Sequence, residues 1–222
     1  MNTPHTEAAN RHVTALSDSR SSIRLRAAMA IGIEPADELV DALIERCAVE
    51  PDFYVRDMLT WALTRHRVGV VVPRLLAELE SPVRQARSQA LHTLSKIGDQ
   101  ATWPALTTSL LQDEDDEVAR SAWRAAVAIV PTGSEPELAA LLAGQLGRGT
   151  EDVQRSLSRA LVALGEVILP QLHLAASSDQ PEVRAHALAT ERLLQDPDST
   201  FTLDVDEAIR IMALNREDER EC

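Results

Sequence analysis

A pattern returning every 28 to 35 residues constrains this chain more than any other feature. Six β-branched residues, Ile23, Val55, Val83, Val118, Val153 and Val183, open successive helical segments at steps of 32, 28, 35, 35 and 30. Arginine follows directly at Arg24, Arg56, Arg84 and Arg184, and one residue later at Arg120 and Arg155. Seven residues after the opening position comes alanine (Ala30, Ala62, Ala90, Ala125, Ala160), replaced in the last copy by Thr190. A single globular core imposes no such period, whereas stacked copies of one supersecondary unit do.

A second series interleaves with the first: Pro73 with Leu75, Pro104 with Leu106, Pro136 with Leu138 and Pro170 with Leu172. Proline is tolerated in the first turn of a helix, where its missing N–H has no partner to lose, so each Pro predicts the start of a second helix. Apolar residues at 0, +4, +7 and +8 of the first helix form one stripe, as in Val153, Leu157, Ala160 and Leu161. Aromatic residues are only 3% of the chain, which argues for helices and against a β-sandwich or barrel. The reading is an all-α fold, with helix pairs at 21–32 and 36–48, 53–66 and 69–80, 82–97 and 100–112, 115–130 and 135–147, 151–163 and 166–177, and 181–195 and 204–214. Residues 1–20 form an N-terminal cap segment with a helix at 4–16, residues 21–214 the repeat array, and 215–222 an acidic tail.

The copies, best displayed by SPVRQARSQALHTLSKIGDQATWPALTTSLLQDEDDEVARSAWRAA, resemble HEAT repeats of the HEAT-like, phycobilisome-lyase type. The resemblance runs from about Ser21 to Leu194. It implies an α-solenoid, a superhelix of about six stacked helix pairs, with first helices on the convex side and second helices on the concave side. It does not imply one activity, because the fold hosts scaffolds, chromophore-lyase subunits, glycosylases and hydroxylases.

Charge narrows the options. The net charge is −13, and residues 112–222 hold 22 acidic against 10 basic groups. Such a field repels phosphate backbones, and the predicted concave positions after each Pro offer one arginine, Arg74, so nucleic acid is not an expected partner. The longest apolar run, Ala125 to Val130, is far too short to span a bilayer, and the N-terminus lacks a signal-type apolar segment. Two cysteines, Cys47 and Cys222, suggest no disulfide framework, and a cytoplasmic protein is expected. Basic residues are 21 arginines and one lysine, a bias that fits a GC-rich bacterial genome.

No catalytic, cofactor-binding or metal-binding residue is assigned. The six histidines are scattered, no His-Glu dipeptide of the di-iron hydroxylase kind occurs, and the glycines of GQLGRG lack the strand and lysine of a phosphate loop. The recurrent arginines read as structural, pairing with Asp52, Asp152 and Asp179 in adjoining turns. The run Asp113 to Glu117 reads as a turn that also favours a helix N-terminus, and Asp115 and Asp116 as an acidic docking edge for a basic partner. Tyr54, Met58 and Trp61 share one helical face at offsets that hold polar residues in other copies, which predicts a protein-contact stripe. Trp123 stands at an offset held elsewhere by Thr60, Ser88 and Ser158, and Trp103 is expected in the core. The expected function is a non-catalytic protein- or peptide-binding scaffold. A chromophore-lyase-type subunit is the alternative, and a nucleic-acid binder comes third.

Overall fold

A computed structural model describes residues 4–197 together with Phe201 and Leu203; the expected helix at 204–214, the acidic tail and Cys222 lie outside the described residues. Those described are helical and contain no strand. They fall into two compact units: Met1–Thr107 with Glu117–Ile129, and Thr108–Asp116 with Val130–Cys222.

In the first unit, α1 (Pro4–Leu16) packs on α2 (Ser21–Ile33) and α3 (Val40–Val49). The first helices of successive pairs lie side by side, α2 against α4 (Phe53–Thr64) and α4 against α6 (Arg84–Ile97), while α3 meets α5 (Val68–Glu78) in a parallel layer. Ala27, Ala28 and Ile31 of α2 and Val55, Leu59, Ala62 and Leu63 of α4 are buried, so the small residues of the stripe set the close approach of neighbouring helices. The unit also takes in α8 (Asp116–Ile129) from Glu117 onward.

In the second unit, α7 (Thr108–Leu111) touches α9 (Glu135–Ala143). Its α10 (Glu151–Val162) lies along α12 (Pro181–Gln195), and α9 along α11 (Leu169–Ala176). The same two-layer stacking therefore recurs inside this unit.

Two expectations are corrected. Pro136 and Pro170 stand at the second residue of α9 and α11, but Pro73 lies inside α5 and Pro104 inside a 3-10 turn at Gln100–Ala105. The second helix expected at 100–112 is thus broken into that turn and the short α7, the chain leaving helical geometry at Leu106 (φ −82°, ψ 81°). Thr102 takes the buried position there and Trp103 is only half-buried.

The third copy is also out of register by one helical turn. Ile23, Val55, Val118, Val153 and Val183 are each the third residue of their helix, and in α6 that residue is Ala86, not the exposed Val83. A shift of three residues nearly preserves the helical face, so the Val83-Arg84 dipeptide imitates the true start. With Ala86 in place the steps become 32, 31, 32, 35 and 30.

The corrected register reveals what the recurrent arginine does. The fourth residue of the helix reaches back to carbonyls of the preceding turn: Arg24 donates to Asp18 O (2.8 Å) and Ser19 O (2.9 Å), Arg56 to Glu50 O (3.0 Å) and Pro51 O (2.9 Å), and Arg87 to Ser81 O (2.9 Å). Arg184 clasps Ser178 O in the same way, and Gln154 donates to Gly147 O and Gly149 O, both at 3.3 Å. Turn carbonyls facing the core would otherwise be left without donors. At α8 the fourth residue is Ala119, and Arg148 supplies the missing donor to Asp113 O from the following turn. Arg24 also meets a carboxylate, that of Glu50, and of the pairings expected with adjoining aspartates that of Arg155 with Asp152 is formed, at 3.4 Å.

Candidate functional site

Helix α4 carries Tyr54, Met58 and Trp61. Asp52 caps it, accepting from the N–H groups of Tyr54 (2.9 Å) and Val55 (3.2 Å), so Phe53 and Tyr54 project from a well-fixed first turn. Their rings meet edge to face at 5.7 Å and remain 65% and 75% exposed. Met58 is half-buried. Trp61 is 39% exposed and lies against Gly32 of α2, where a Cβ would come within 2.2 Å of its Cζ3. The indole therefore has one face down on the preceding repeat and one open. Phe53 was not singled out in the sequence, although its position beside Tyr54 at a capped helix start was visible. Trp123, by contrast, is fully buried on the core side of α8.

A cleft of about 310 Å³ opens between α4, α6 and α8. Arg120 and Arg124 of α8 line it, with Arg120 paired to Glu117 at 2.7 Å and Arg124 donating to Ser121 Oγ at 3.1 Å. Ser88 Oγ lies 3.1 Å from Ser121 Oγ, linking α6 to α8 at the floor. Gln89 and His92 complete the α6 wall, and Phe53 stands at the edge with Arg56 over its ring at 5.9 Å. The corrected register puts His92 and Arg124 at the offset of Trp61, so repeat arithmetic could have collected them.

Two buried ionisable groups hold the units internally. Glu50 accepts from Arg24 (2.7 and 2.6 Å), from Arg46 (2.7 Å) and from the Asp52 N–H (2.9 Å). Burial opposes its charge, but these donors outweigh burial and hold its carboxyl at about 2. In the second unit His186 is fully buried: Gly147 N–H donates to Nδ1 at 3.0 Å, and Nε2 lies 3.0 Å from both Gln154 O and Ser158 Oγ. Burial lowers its pKa to about 4 against the opposing pull of Gln154 O. The neutral ring with its proton on Nε2 satisfies both sides. Burial pushes the Cys47 thiol up to about 12, which makes it a poor nucleophile.

Asp116 is bound by Arg148 at 2.9 Å, Asp115 is half-buried, and its N–H donates to Asp113 Oδ1 at 2.9 Å. Among the described residues no three His, Cys, Asp or Glu side chains converge as a metal site, and no single helix is long and apolar enough to cross a membrane.

Helix pairs repeated at this period define an all-α repeat protein. The family model for HEAT repeats matches residues 72–162, and that stretch is built of HEAT repeats. Among solved structures the chain is similar to the complex of CpcE and CpcF of phycocyanin lyase from Nostoc sp. PCC7120, at 22% identity and a TM-score of 0.48, over 87% of this chain and 77% of that one. No curated protein matches its sequence.

Proposed function

We propose that this chain is a non-catalytic protein-interaction module whose contact surface is centred on α4 of the first unit. The observation that carries this reading is the exposure of Phe53 and Tyr54, continued along the helix by Met58 and the open face of Trp61. Large aromatic side chains held rigid by a capped helix are typical contact anchors, and they lose little conformational freedom on binding. The excess acidity of residues 112–222, Asp115 included, favours a partner with a basic surface and speeds its encounter. The test is affinity capture from the native cytosol with the wild-type chain and with Tyr54→Ala. A partner retained by the first and lost by the second supports the reading, and equal capture by both overturns it. A bilin absorbance change on mixing would instead favour a chromophore-handling subunit.

A further inference from the structure

We infer that the cleft between α4, α6 and α8 is a binding site for a small organic carboxylate, held by Arg120 and Arg124 with its apolar part against Phe53. The site shares Phe53 with the contact surface but is held by Arg120 and Arg124 of α8, so its failure would leave the protein-docking proposal untouched.

Four observations converge. First, two polar side-chain atoms of the residues lining the cleft are buried without partners. Arg120 keeps its Nε–H buried without a partner although its Nη1 pairs with Glu117, and the hydroxyls of Ser88 and Ser121 lie between α6 and α8. Gln89 Oε1 is likewise buried without a partner, and a flipped amide would present a donor there. Unsatisfied buried polar atoms are uncommon, and two on facing walls of one cleft mark a place where a ligand completes the set. Second, Arg120 and Arg124 are one turn apart on a single helix, a like-charge pair that is unfavourable without an intervening anion. Water lost from around Arg124, and then the neighbouring Arg120 charge, lower its pKa, with Glu117 opposing. His92 on the facing wall is pushed the same way, by burial first and then by Arg124 and Lys96, with Asp57 opposing.

Third, the charge balance selects the anion. Arg56, Arg120 and Arg124 line the cleft against the carboxylates of Asp57 and Glu117, which leaves about one positive charge for the ligand. That suits a planar monoanion, whose two oxygens match the guanidinium fork, better than a phosphate dianion. Fourth, the volume of about 310 Å³ is at the lower end for small-molecule sites, and the 65% exposed Phe53 ring supplies an apolar wall at the edge.

The test is an NMR titration of the full chain with benzoate, inorganic phosphate and a short peptide ending in Phe, following backbone amides and arginine Nε–H signals. Benzoate should shift Gln89, Arg120 and Ser121 with a Kd of about 5 mM or tighter. Arg124→Gln and Arg120→Gln should weaken it at least about tenfold, Arg124→Lys by less, and the exposed Arg65→Gln not at all. Arg124→Lys keeps the charge and serves if a glutamine variant misfolds. Equal binding by wild type and Arg124→Gln, or shifts scattered over the surface, would overturn the site. Phosphate binding more tightly than benzoate would overturn the carboxylate assignment. A peptide terminus binding more than about tenfold tighter than benzoate would overturn the small-molecule assignment.

Discussion

At the scale of single residues, the pairing of Gly32 with Trp61 makes an unusual prediction. Glycine inside a helix normally costs about 1 kcal/mol relative to alanine, yet Gly32→Ala in the wild-type chain should destabilise by about 1–3 kcal/mol, because the new methyl meets the indole. In a Trp61→Ala background the same change should become stabilising by about 0.5–1 kcal/mol. Urea unfolding of the four chains checks the sign reversal. Trp61→Ala alone should cost about 1–2 kcal/mol, below the range for a fully buried tryptophan, and Tyr54→Ala less than about 0.5 kcal/mol. The exposure of Tyr54 was legible because Ser22, Glu117, Asp152 and Glu182 hold the same offset and all are exposed. The contact of Trp61 with Gly32 was not, since a glycine carries no apolar signal and the two belong to different repeats. Nor was the setting of His186, whose partners come from α10 and the turn before it.

At the scale of elements, the helix period and most boundaries could be read directly, because the buried stripe obeys a 3.6-residue repeat. Reading failed where a proline stood one or two turns away from a helix start, as at Pro104, and where Val83-Arg84 imitated the true start one turn early. The arginines act structurally at the turns, as expected, but most of their acceptors are carbonyls, which sequence does not display. Because Gln154 fills the same role, Arg56→Gln should retain most of the stability that Arg56→Ala loses, about 1–2 kcal/mol for the latter by thermal or urea unfolding. Leu106→Asp, which puts a carboxylate at a buried position beside the broken turn, should cost several times more, on the order of 3–5 kcal/mol.

For the whole molecule, Glu50 and His186 set different acid limits in the two units. His186 has a folded pKa near 4, below its ordinary 6.5, so the unfolded chain binds the extra proton first. Stability of the second unit therefore falls as pH drops through 6.5 and the loss, on the order of 3 kcal/mol, is complete below about 4. Half-buried His92 adds a smaller loss of the same sign in the first unit. Glu50 has a folded pKa near 2, below its ordinary 4.5, so its contribution is intact above 4.5 and disappears as pH falls toward 2. Trp61, Trp103 and Trp123 all lie in the first unit. On acidification, loss of helicity by circular dichroism should precede the change in tryptophan emission, and coincident transitions would contradict this. The division into two units had no mark in the sequence, since the repeat period runs through it. The clasp from the fourth helical residue to its own preceding turn closes a loop of only five to seven residues. Closure over so short a stretch carries little chain entropy, so these turns can be tied while the next repeat is still inside the ribosome, and only the turn before α8 waits for Arg148 among those described. A nascent chain built this way gains its stacked order from the N-terminus at the pace of synthesis, without waiting for its last residues.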